Sequence, residues 1–412
     1  MNALPVVQEI KVGLDFGKSS IPVGRLAIRE RRIYFAYESA FIEQGLEISP
    51  FVLPLKAGVT NFENSLFEGL PGVFNDSLPD GWGRLLFDRL AQSQGVSPSQ
   101  LSPLDRLSYV GACGMGALVY EPATFNKTEN RAISLDSVAQ QAQEVLKGTS
   151  QEVLQKLLAL NGSSAGARPK ALVSVSENRE RIMHGSYKLE KGFEPWLVKF
   201  PNSQDGPDAG SIEYVYALMA KDAGIEMPVS HLFPAGEGPG YFAAKRFDRD
   251  KDKRVHMHTA CGLLHADFRS PSLDYKDLIN LTFLLTRDIR EAEKMFRLAV
   301  FNVLAHNRDD HAKNFSFLMD DQGQWKLSPA YDLTFSSGPG GEQSTMVMGE
   351  GRNPGLDHLI KLGLEAKIAE PRIAEILDQT RSAIGAWSKL AKQYGVSDAK
   401  AHVITKKICP NI

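Results

Sequence analysis

Apolar and polar residues alternate along much of residues 8–58, and Gly and Pro interrupt the alternation. A period of two is typical of strands that bury one face. Short antiparallel strands are therefore predicted in "EIKVGLDFG", "VGRLAIRERRIYFAY" and "FVLPLKAG". The segment "LPDGWGRLLFDRLAQSQG" (78–95) then predicts a helix that an Asp-Gly turn opens and Gly95 ends. The small residues of "GACGMGALVYEP" (111–122) predict a tight turn before a closing strand.

The middle of the chain mixes helical and strand patterns. The polar stretch "EPATFNKTENRA" (121–132) is the candidate linker, and "LDSVAQQAQEVLKG" and "QEVLQKLLAL" predict helix. A Gly/Ser turn, "NGSSAGARPK", precedes predicted strands in "ALVSVS" and "WLVKFP". A helix in "SIEYVYALMAKDAG" and strands near "SHLFPAG" and "YFAAKRFD" follow.

From about residue 272 the pattern turns helical. Asp288 with Glu291 three residues later resembles a capping box. An apolar stripe at helical spacing follows, made of Phe296, Ala299, Val300, Val303 and Leu304. The prediction is an α+β chain of three units: a strand-rich unit (1–122), a small α+β unit (123–250) and a helical unit (251–412).

Composition narrows the class of protein. The 412 residues are 43% hydrophobic and 23% charged, with a net charge of −2, so a dominant nucleic-acid-binding face is not expected. Three cysteines are too few and too dispersed for a disulfide framework, and we interpret them as buried or inert thiols. With no signal-peptide pattern and no apolar stretch of membrane-spanning length, a soluble cytoplasmic protein without a membrane partner is expected.

The segment "AHNRDDHAKNFSFL" (305–318) carries the candidate chemistry. Asp309 and Asn314 fit D-x-x-x-x-N, in which the acid takes a hydroxyl proton and the amide binds metal. Asp332, in "LSPAYDLTF", would be a second ligand, and this oxygen set suits Mg²⁺. Lys313 could offset charge at a transferred phosphoryl group, and His311 could hold the loop by a hydrogen bond.

Other interpretations of this segment stay open. "NRDDHAKN" could be a solvated helix end, and Asp310 is expected to face solvent. A transition-metal site is a further alternative, built from His306, His311 and the acids, with His256, His258 and His265 as added ligands. "GLDFGKSS" (13–20) resembles a sugar-kinase phosphate turn, but it lacks the other turns of that type, so a strand-turn-strand is the prediction.

Two upstream segments could meet a nucleotide. "GSSAGA" (162–167) has no bulky side chain to block a close backbone approach to phosphates, although such turns are common. Lys199 in "WLVKFP" alternates with apolar residues, so it could project from a strand into a cleft or be a solvated edge residue. Glu213 on the next helix could pair with it.

These segments together resemble HipA-type serine/threonine kinases, the toxins of bacterial toxin–antitoxin pairs. "FNVLAHNRDDHAKNFSFL" followed by "WKLSPAYDLTFS" is similar to the family motif D-x-H-x-K-N-x-S with its later Tyr-Asp pair. "SSAGARPKALV" resembles the flexible phosphate loop, "WLVKFP" the lysine strand and "AAKRFDR" (243–249) the adenine hinge. "NDSLPDGWGR" resembles part of the N-terminal subdomain, so the likeness covers nearly the whole chain.

The resemblance implies a two-lobed, kinase-like fold that uses ATP and Mg²⁺. It makes Asp309 and Lys313 catalytic, Asn314 and Asp332 metal ligands, and Ser163 the autophosphorylated serine. The nucleotide would lie against Ser163, Ser164, Ala165, Gly166, Lys170, Lys199, Lys245, Arg246, Phe247 and His311. Phosphate on the loop serine would add up to about two negative charges and favour release of the loop.

Implied partners are a small helix-turn-helix antitoxin of the HipB type, operator DNA through that antitoxin, and a protein substrate such as an aminoacyl-tRNA synthetase. Two positions depart from the family pattern: Pro169 in the loop and Lys245 in the hinge, where well-known members carry acids. D-x-H-x-x-N also resembles phosphoinositide kinases, so a lipid or small-molecule kinase stays open, as does a non-catalytic ATP-binding partner of a repressor.

Overall fold

The structure is a computed structural model. It describes residues 6–63, 66–124, 131–147, 151–161, 166–185, 189–202, 205–269 and 272–408. Ser163, Ser164, Ala165, half of the candidate linker (125–130) and Cys409 lie outside the described residues.

The N-terminal region, by which we mean residues 6–124, is built on a five-stranded antiparallel sheet in the order β4-β3-β2-β1-β5. Its elements are β1 (Glu9–Asp15), β2 (Ser20–Arg29), β3 (Arg32–Tyr37), α1 (Ser39–Gln44), β4 (Val59–Asn61), α2 (Gly72–Asn75), α3 (Trp82–Ser93), α4 (Pro103–Val110) and β5 (Leu118–Glu121). "GLDFGKSS" is the β1–β2 strand-turn-strand, as predicted.

One strand prediction in this region is wrong. "FVLPLKAG" (51–58) forms turns, and the edge strand β4 begins only at Val59. Pro54 has no N–H for a ladder, and its neighbour Leu53 is buried in the core although it lies on no strand. Of the alternating apolar residues only Leu53 is buried, whereas Phe51 is 43% exposed, so alternation here predicted neither a strand nor a buried face.

The second unit holds another five-stranded sheet, ordered β7-β6-β8-β10-β9. Its elements are α5 (Leu135–Lys147), α6 (Gln151–Asn161), β6 (Lys170–Ser176), β7 (Ile182–His184), β8 (Phe193–Lys199), α7 (Ala209–Asp222), β9 (Ser230–Phe233) and β10 (Tyr241–Lys245). α3 packs into the core of this unit through Trp82, Leu86 and Phe87, although it belongs to the N-terminal region in sequence.

The remaining chain is mainly helical. Its elements are β11 (Arg249–Asp250), β12 (Lys253–Arg254), β13 (His256–Thr259), α8 (Ala260–Leu263), α9 (Tyr275–Thr286), α10 (Ile289–Leu304), β14 (Ser316–Met319), β15 (Trp325–Leu327), α11 (Leu356–Glu365), α12 (Glu370–Gly385), α13 (Trp387–Gln393) and α14 (Asp398–Ile408). β13, β14 and β15 form a small antiparallel sheet beside the predicted catalytic segment. Asp288 caps α10 by accepting the Arg290 N–H.

The predicted α+β architecture is confirmed, with strands concentrated in the first two units and helices in the third. The boundaries at residues 122 and 250 stay predictions. No helix among the described residues combines the length and the apolar character needed to cross a membrane.

Candidate active site

A cavity of about 680 Å³ lies where the N-terminal region, the second sheet and the predicted catalytic segment meet. It brings together most of the predicted site residues, which come from distant parts of the chain: Gly166, Lys170, Lys199, Lys245, Arg246, Phe247, Asp309, His311, Lys313, Asn314 and Asp332. The predicted Ser163, Ser164 and Ala165 lie outside the described residues.

Lys199 joins the two sides of this cavity. It ends β8, where alternate side chains are buried, and its Nζ contacts the Glu213 carboxylate on α7 and lies 2.5 Å from Asp332 Oδ1. Burial alone would lower the pKa of the Lys199 ammonium, but Asp332 and Glu213 outweigh it and raise that pKa above its usual value. Lys199 is therefore a fixed positive charge, and the predicted contact with Glu213 is present.

Asp332 is held ionised. Its backbone lies in the left-handed region, with φ +58°, and the preceding Tyr331 hydroxyl donates to the Lys313 carbonyl at 2.6 Å. Burial favours the neutral acid, yet Lys199 and Lys170 prevail and keep the pKa of the Asp332 carboxyl well below its usual range. A charged carboxylate that still reaches the cavity, with its side chain 33% exposed, suits a hard cation.

The loop after α10 presents Asp309 and Asn314. A single 3₁₀ turn, Ala312–Asn314, is closed by the Asn314 N–H donating to the His311 carbonyl at 2.8 Å. The Asn314 Nδ2 donates to the Asp309 carbonyl at 2.7 Å, which leaves its Oδ1 as the atom for a cation. The Asp309 carboxylate accepts no hydrogen bond from a described residue. Although the side chain is exposed to the cavity, the surrounding protein partly desolvates the Asp309 carboxyl and raises its pKa, an effect that His311 opposes and Asp332 reinforces.

Asp310 does not face solvent, so that prediction is wrong. Its side chain is 1% exposed and accepts hydrogen bonds from the Tyr275 hydroxyl, Gln343 Nε2 and the backbone N–H groups of Ser344 and Thr345, at 2.6–3.2 Å. Burial raises its pKa to about 6. Asp310 therefore fastens the predicted catalytic segment to residues 343–345.

Lys313 and His311 have partners that the sequence did not reveal. Lys313 Nζ lies 2.7 Å from Asp80 Oδ2, in the N-terminal region, and 4.3 Å from the centre of the Phe268 ring. His311 also packs on Phe268, with ring centres 5.3 Å apart, and its buried Nδ1 has no partner among the described residues. A loop-holding hydrogen bond was expected from the His311 ring. The loop is instead held at the His311 backbone, whose carbonyl accepts the Asn314 N–H.

Lys170 adds a second buried cation. It lies directly opposite Lys199 in the antiparallel register of β6 and β8, and it is 6% exposed. Burial lowers its pKa to about 8, and the neighbouring Lys199 contributes in the same direction. A Cβ on Gly166, where φ is +103°, would lie 2.6 Å from Lys170 Nζ, so glycine lets the backbone approach this lysine.

Arg168 also lines the cavity, although no sequence pattern indicated a role for it. Its guanidinium pairs with Asp205 at 2.9 Å and with Glu213 at 3.4 Å. Pro169, one of the two departures from the family pattern, accepts the Phe200 N–H through its carbonyl at 2.9 Å. The end of the loop is thereby fixed to strand β8.

In the hinge, the N–H groups of Lys245 and Arg246 already donate to backbone carbonyls at 2.8 and 2.9 Å. The Phe247 N–H donates to no described backbone carbonyl, and the Phe247 ring centre lies 5.7 Å from that of Tyr331. Lys245, the second departure, forms an ion pair with Glu194 at 2.6 Å. Backbone recognition of a base at Phe247 is compatible with this arrangement.

The histidines of the transition-metal alternative are dispersed. His265 and His306 pack against phenylalanine rings, whereas His256 and His258 hydrogen-bond to the N-terminal region. Within the described part of the chain, no group of three or more His, Cys, Asp or Glu side chains is arranged to hold a metal ion. The structure gives that alternative no support.

Structural comparison shows that the chain has a two-lobed, kinase-like fold. The solved structure of Shewanella oneidensis HipA, in complex with HipB and operator DNA, superposes with a TM-score of 0.69 at 17% identity, covering 97% of this chain and 95% of that one. The predicted fold class is thus confirmed.

Sequence comparison then gives the family. Residues 162–387 match the model of the HipA-like C-terminal domain, and residues 17–121 match that of the HipA N-terminal domain. A Sinorhizobium fredii protein with a provisional kinase name, Y4mE, is 26% identical over 86% of this chain and 87% of its own. The Shewanella oneidensis serine/threonine-protein kinase toxin HipA is 24% identical over 78% and 74%. Because the C-terminal match alone spans more than half of the residues, the chain belongs to the HipA family.

Proposed function

We propose that the chain is an ATP- and Mg²⁺-dependent protein serine/threonine kinase. The observation that carries this proposal is the contact of Lys199 with Glu213 and Asp332 in the cavity that also holds Asp309 and Asn314. Phosphoryl transfer needs a cation for phosphates, oxygen ligands for a metal and a carboxylate for the acceptor hydroxyl. These five side chains supply all three.

The residues fit Mg²⁺ and ATP. The ionised Asp332 and the Oδ1 of Asn314 are hard oxygen donors, and Lys199 and Lys170 supply charge for phosphates. About 680 Å³ is within the range of roughly 300–1,000 Å³ that small-molecule sites occupy. When bound, Mg²⁺ would neutralise phosphate charge and ATP would donate the phosphoryl group.

Asp309 would accept the proton of the attacking hydroxyl. Its carboxylate is exposed to the cavity, its raised pKa makes it a better base than an ordinary aspartate, and no described residue occupies its oxygens. Asp310 is excluded from this role because four donors saturate it.

The biological role that we propose is the toxin of a HipA/HipB-like pair in the cytoplasm. The Shewanella oneidensis relative is named a kinase toxin and was solved with HipB and operator DNA. The corresponding partners here would be a small helix-turn-helix antitoxin, and DNA only through it. Autophosphorylation at Ser163, with Ser164 as the neighbouring alternative, and a protein substrate such as an aminoacyl-tRNA synthetase belong to the same proposal.

The test is incubation with Mg-ATP, alone and with a lysate, followed by mapping of phosphosites by mass spectrometry. Wild type should carry phosphate on Ser163 or Ser164 and phosphorylate a protein, and Asp309→Ala should do neither. Asp321→Ala, at an exposed turn acid, is the matched control and should behave as wild type. Transfer by wild type to phosphoinositide vesicles but to no protein, or no transfer at all, would overturn the proposal.

A further inference from the structure

The N-terminal region contributes a charged side chain to the catalytic loop. Asp80 and Lys313 are 233 residues apart, yet Asp80 Oδ2 and Lys313 Nζ lie 2.7 Å apart. Their side chains are 19% and 11% exposed, and both line the cavity that holds Asp309. This ion pair is therefore largely withdrawn from solvent, where screening is weak.

The Asp80 carboxylate is fixed from its own side. Its Oδ1 accepts the Gly81 N–H at 2.7 Å, and Gly81 has φ +48°. A Cβ on Gly81 would lie 2.4 Å from the Gly166 carbonyl oxygen, so this turn packs directly against the end of the phosphate loop. Asp80 thus presents one defined oxygen, Oδ2, to Lys313.

Lys313 is fixed as well, but its donors are not exhausted. The Phe268 ring lies 4.3 Å from its Nζ, and the Lys313 carbonyl accepts the Tyr331 hydroxyl at 2.6 Å. An ammonium group has three N–H donors, and the structure assigns one of them to Asp80. No further acceptor for Lys313 Nζ lies among the described residues, so two donors remain for a ligand next to Asn314, whose side chain is a proposed metal ligand.

From this geometry we propose that Asp80 is a positioning residue for phosphoryl transfer, because it fixes the Lys313 ammonium for contact with the transferred phosphoryl group. The inference rests on the proposed kinase function. It adds that the N-terminal region completes the active site and does more than pack beside it. Without Asp80, Lys313 would lose the contact that selects one orientation of its flexible side chain.

The experiment compares steady-state phosphate transfer by wild type, Asp80→Asn, Lys313→Ala and the double variant. Asp80→Asn should lower kcat by about 10- to 100-fold, the scale on which orienting residues act, and change KM for ATP less than about threefold. The double variant should be no slower than Lys313→Ala alone, because Asp80 acts through that lysine. Asp80→Glu, which retains the charge, should recover part of the rate.

Asp88→Asn is the control, since Asp88 lies on the adjacent helix α3, pairs only loosely with Arg84 at 3.7 Å and does not line the cavity. It should keep the wild-type rate.

A full rate for Asp80→Asn, or losses that multiply in the double variant, overturns the positioning role if wild type is active. If Asp80→Asn melts early, kcat is measured below its melting temperature and in Asp80→Ser, which also removes the charge: an unchanged kcat in either variant refutes the inference. An inactive wild type refutes the proposed function and this inference with it, and it is seen before any variant is compared.

Discussion

Asp309 and Asp310 are adjacent in the chain, but their side chains enter two different polar regions. Asp309 opens into the cavity, where its carboxylate accepts no hydrogen bond from a described residue. Asp310 turns the other way, into a buried network with Tyr275 and residues 343–345 that saturates its oxygens. The same residue type thus has an unused bonding capacity in one region and a fully used one in the other.

The difference distinguishes a side chain that is available to react or bind a ligand from one that stabilises the fold. A group that must exchange protons or bind a ligand needs capacity that the protein has not already satisfied, whereas a buried structural group costs stability unless it is satisfied. In the cavity, Asn314 Oδ1, two Lys313 donors and the Asp309 carboxylate meet the first condition. The Asp310 network meets the second.

A second buried network shows that a Ser-His-Asp chain of hydrogen bonds is by itself a poor guide to function. Ser49, His258 and Asp76 are linked as in a nucleophilic triad, with Oγ–Nε2 and Nδ1–Oδ2 distances of 3.0 and 2.6 Å. Ser49 is only 1% exposed, and Asp76 also accepts the N–H and hydroxyl of Thr259, both at 2.8 Å. No substrate can reach that serine, so this network fastens the N-terminal region to β13.

The test with the largest expected effect replaces each of the two neighbouring residues, Asp309 and Asp310, by alanine. Asp310→Ala should lower the free energy of unfolding by about 2–4 kcal/mol, because four buried donors lose their acceptor. Asp309→Ala, expected to be inactive, should stay within about 1 kcal/mol of wild type, because no hydrogen bond from a described residue is lost. Urea titration followed by tryptophan fluorescence measures both, and equal losses would remove the distinction.

The Asp76 network should give a smaller effect. Asp76→Asn keeps the shape, but an amide cannot accept from all three of its donors, so a loss of about 1–3 kcal/mol is expected. Because Asp76 bridges the N-terminal region and β13, limited proteolysis should cut near residues 72–77 faster in the variant. Asp321→Asn, at an exposed turn, serves as the reference, and a proteolysis pattern identical to wild type would argue against a fastening role.

Sequence patterns predicted the residues of the candidate site better when those residues belong to one motif than when they meet only in the folded chain. Asp309 and Asn314 share one loop, and Lys199 and Asp332 follow recognisable motifs, so the resemblance located them. Asp80 lies in a predicted helix start and in a segment that resembles the N-terminal subdomain, but neither pattern indicates its partner, because Lys313 lies in another unit and pairing across units leaves no periodic signal. Asp310 was misplaced for a related reason: its direction depends on residues 343–345, which fold back onto the loop.

The smallest expected effect concerns a residue of the cavity, Lys170. With a pKa of about 8, its ammonium is mostly charged at pH 7 and mostly neutral at pH 9. Since the charge would attract phosphates, KM for ATP should rise by roughly three- to tenfold between these pH values. Lys170→Arg, which stays charged, should remove this rise, and Lys170→Gln should give a high KM at both pH values. A pH dependence that survives in both variants would assign the titration to another group and leave Lys170 as a structural cation.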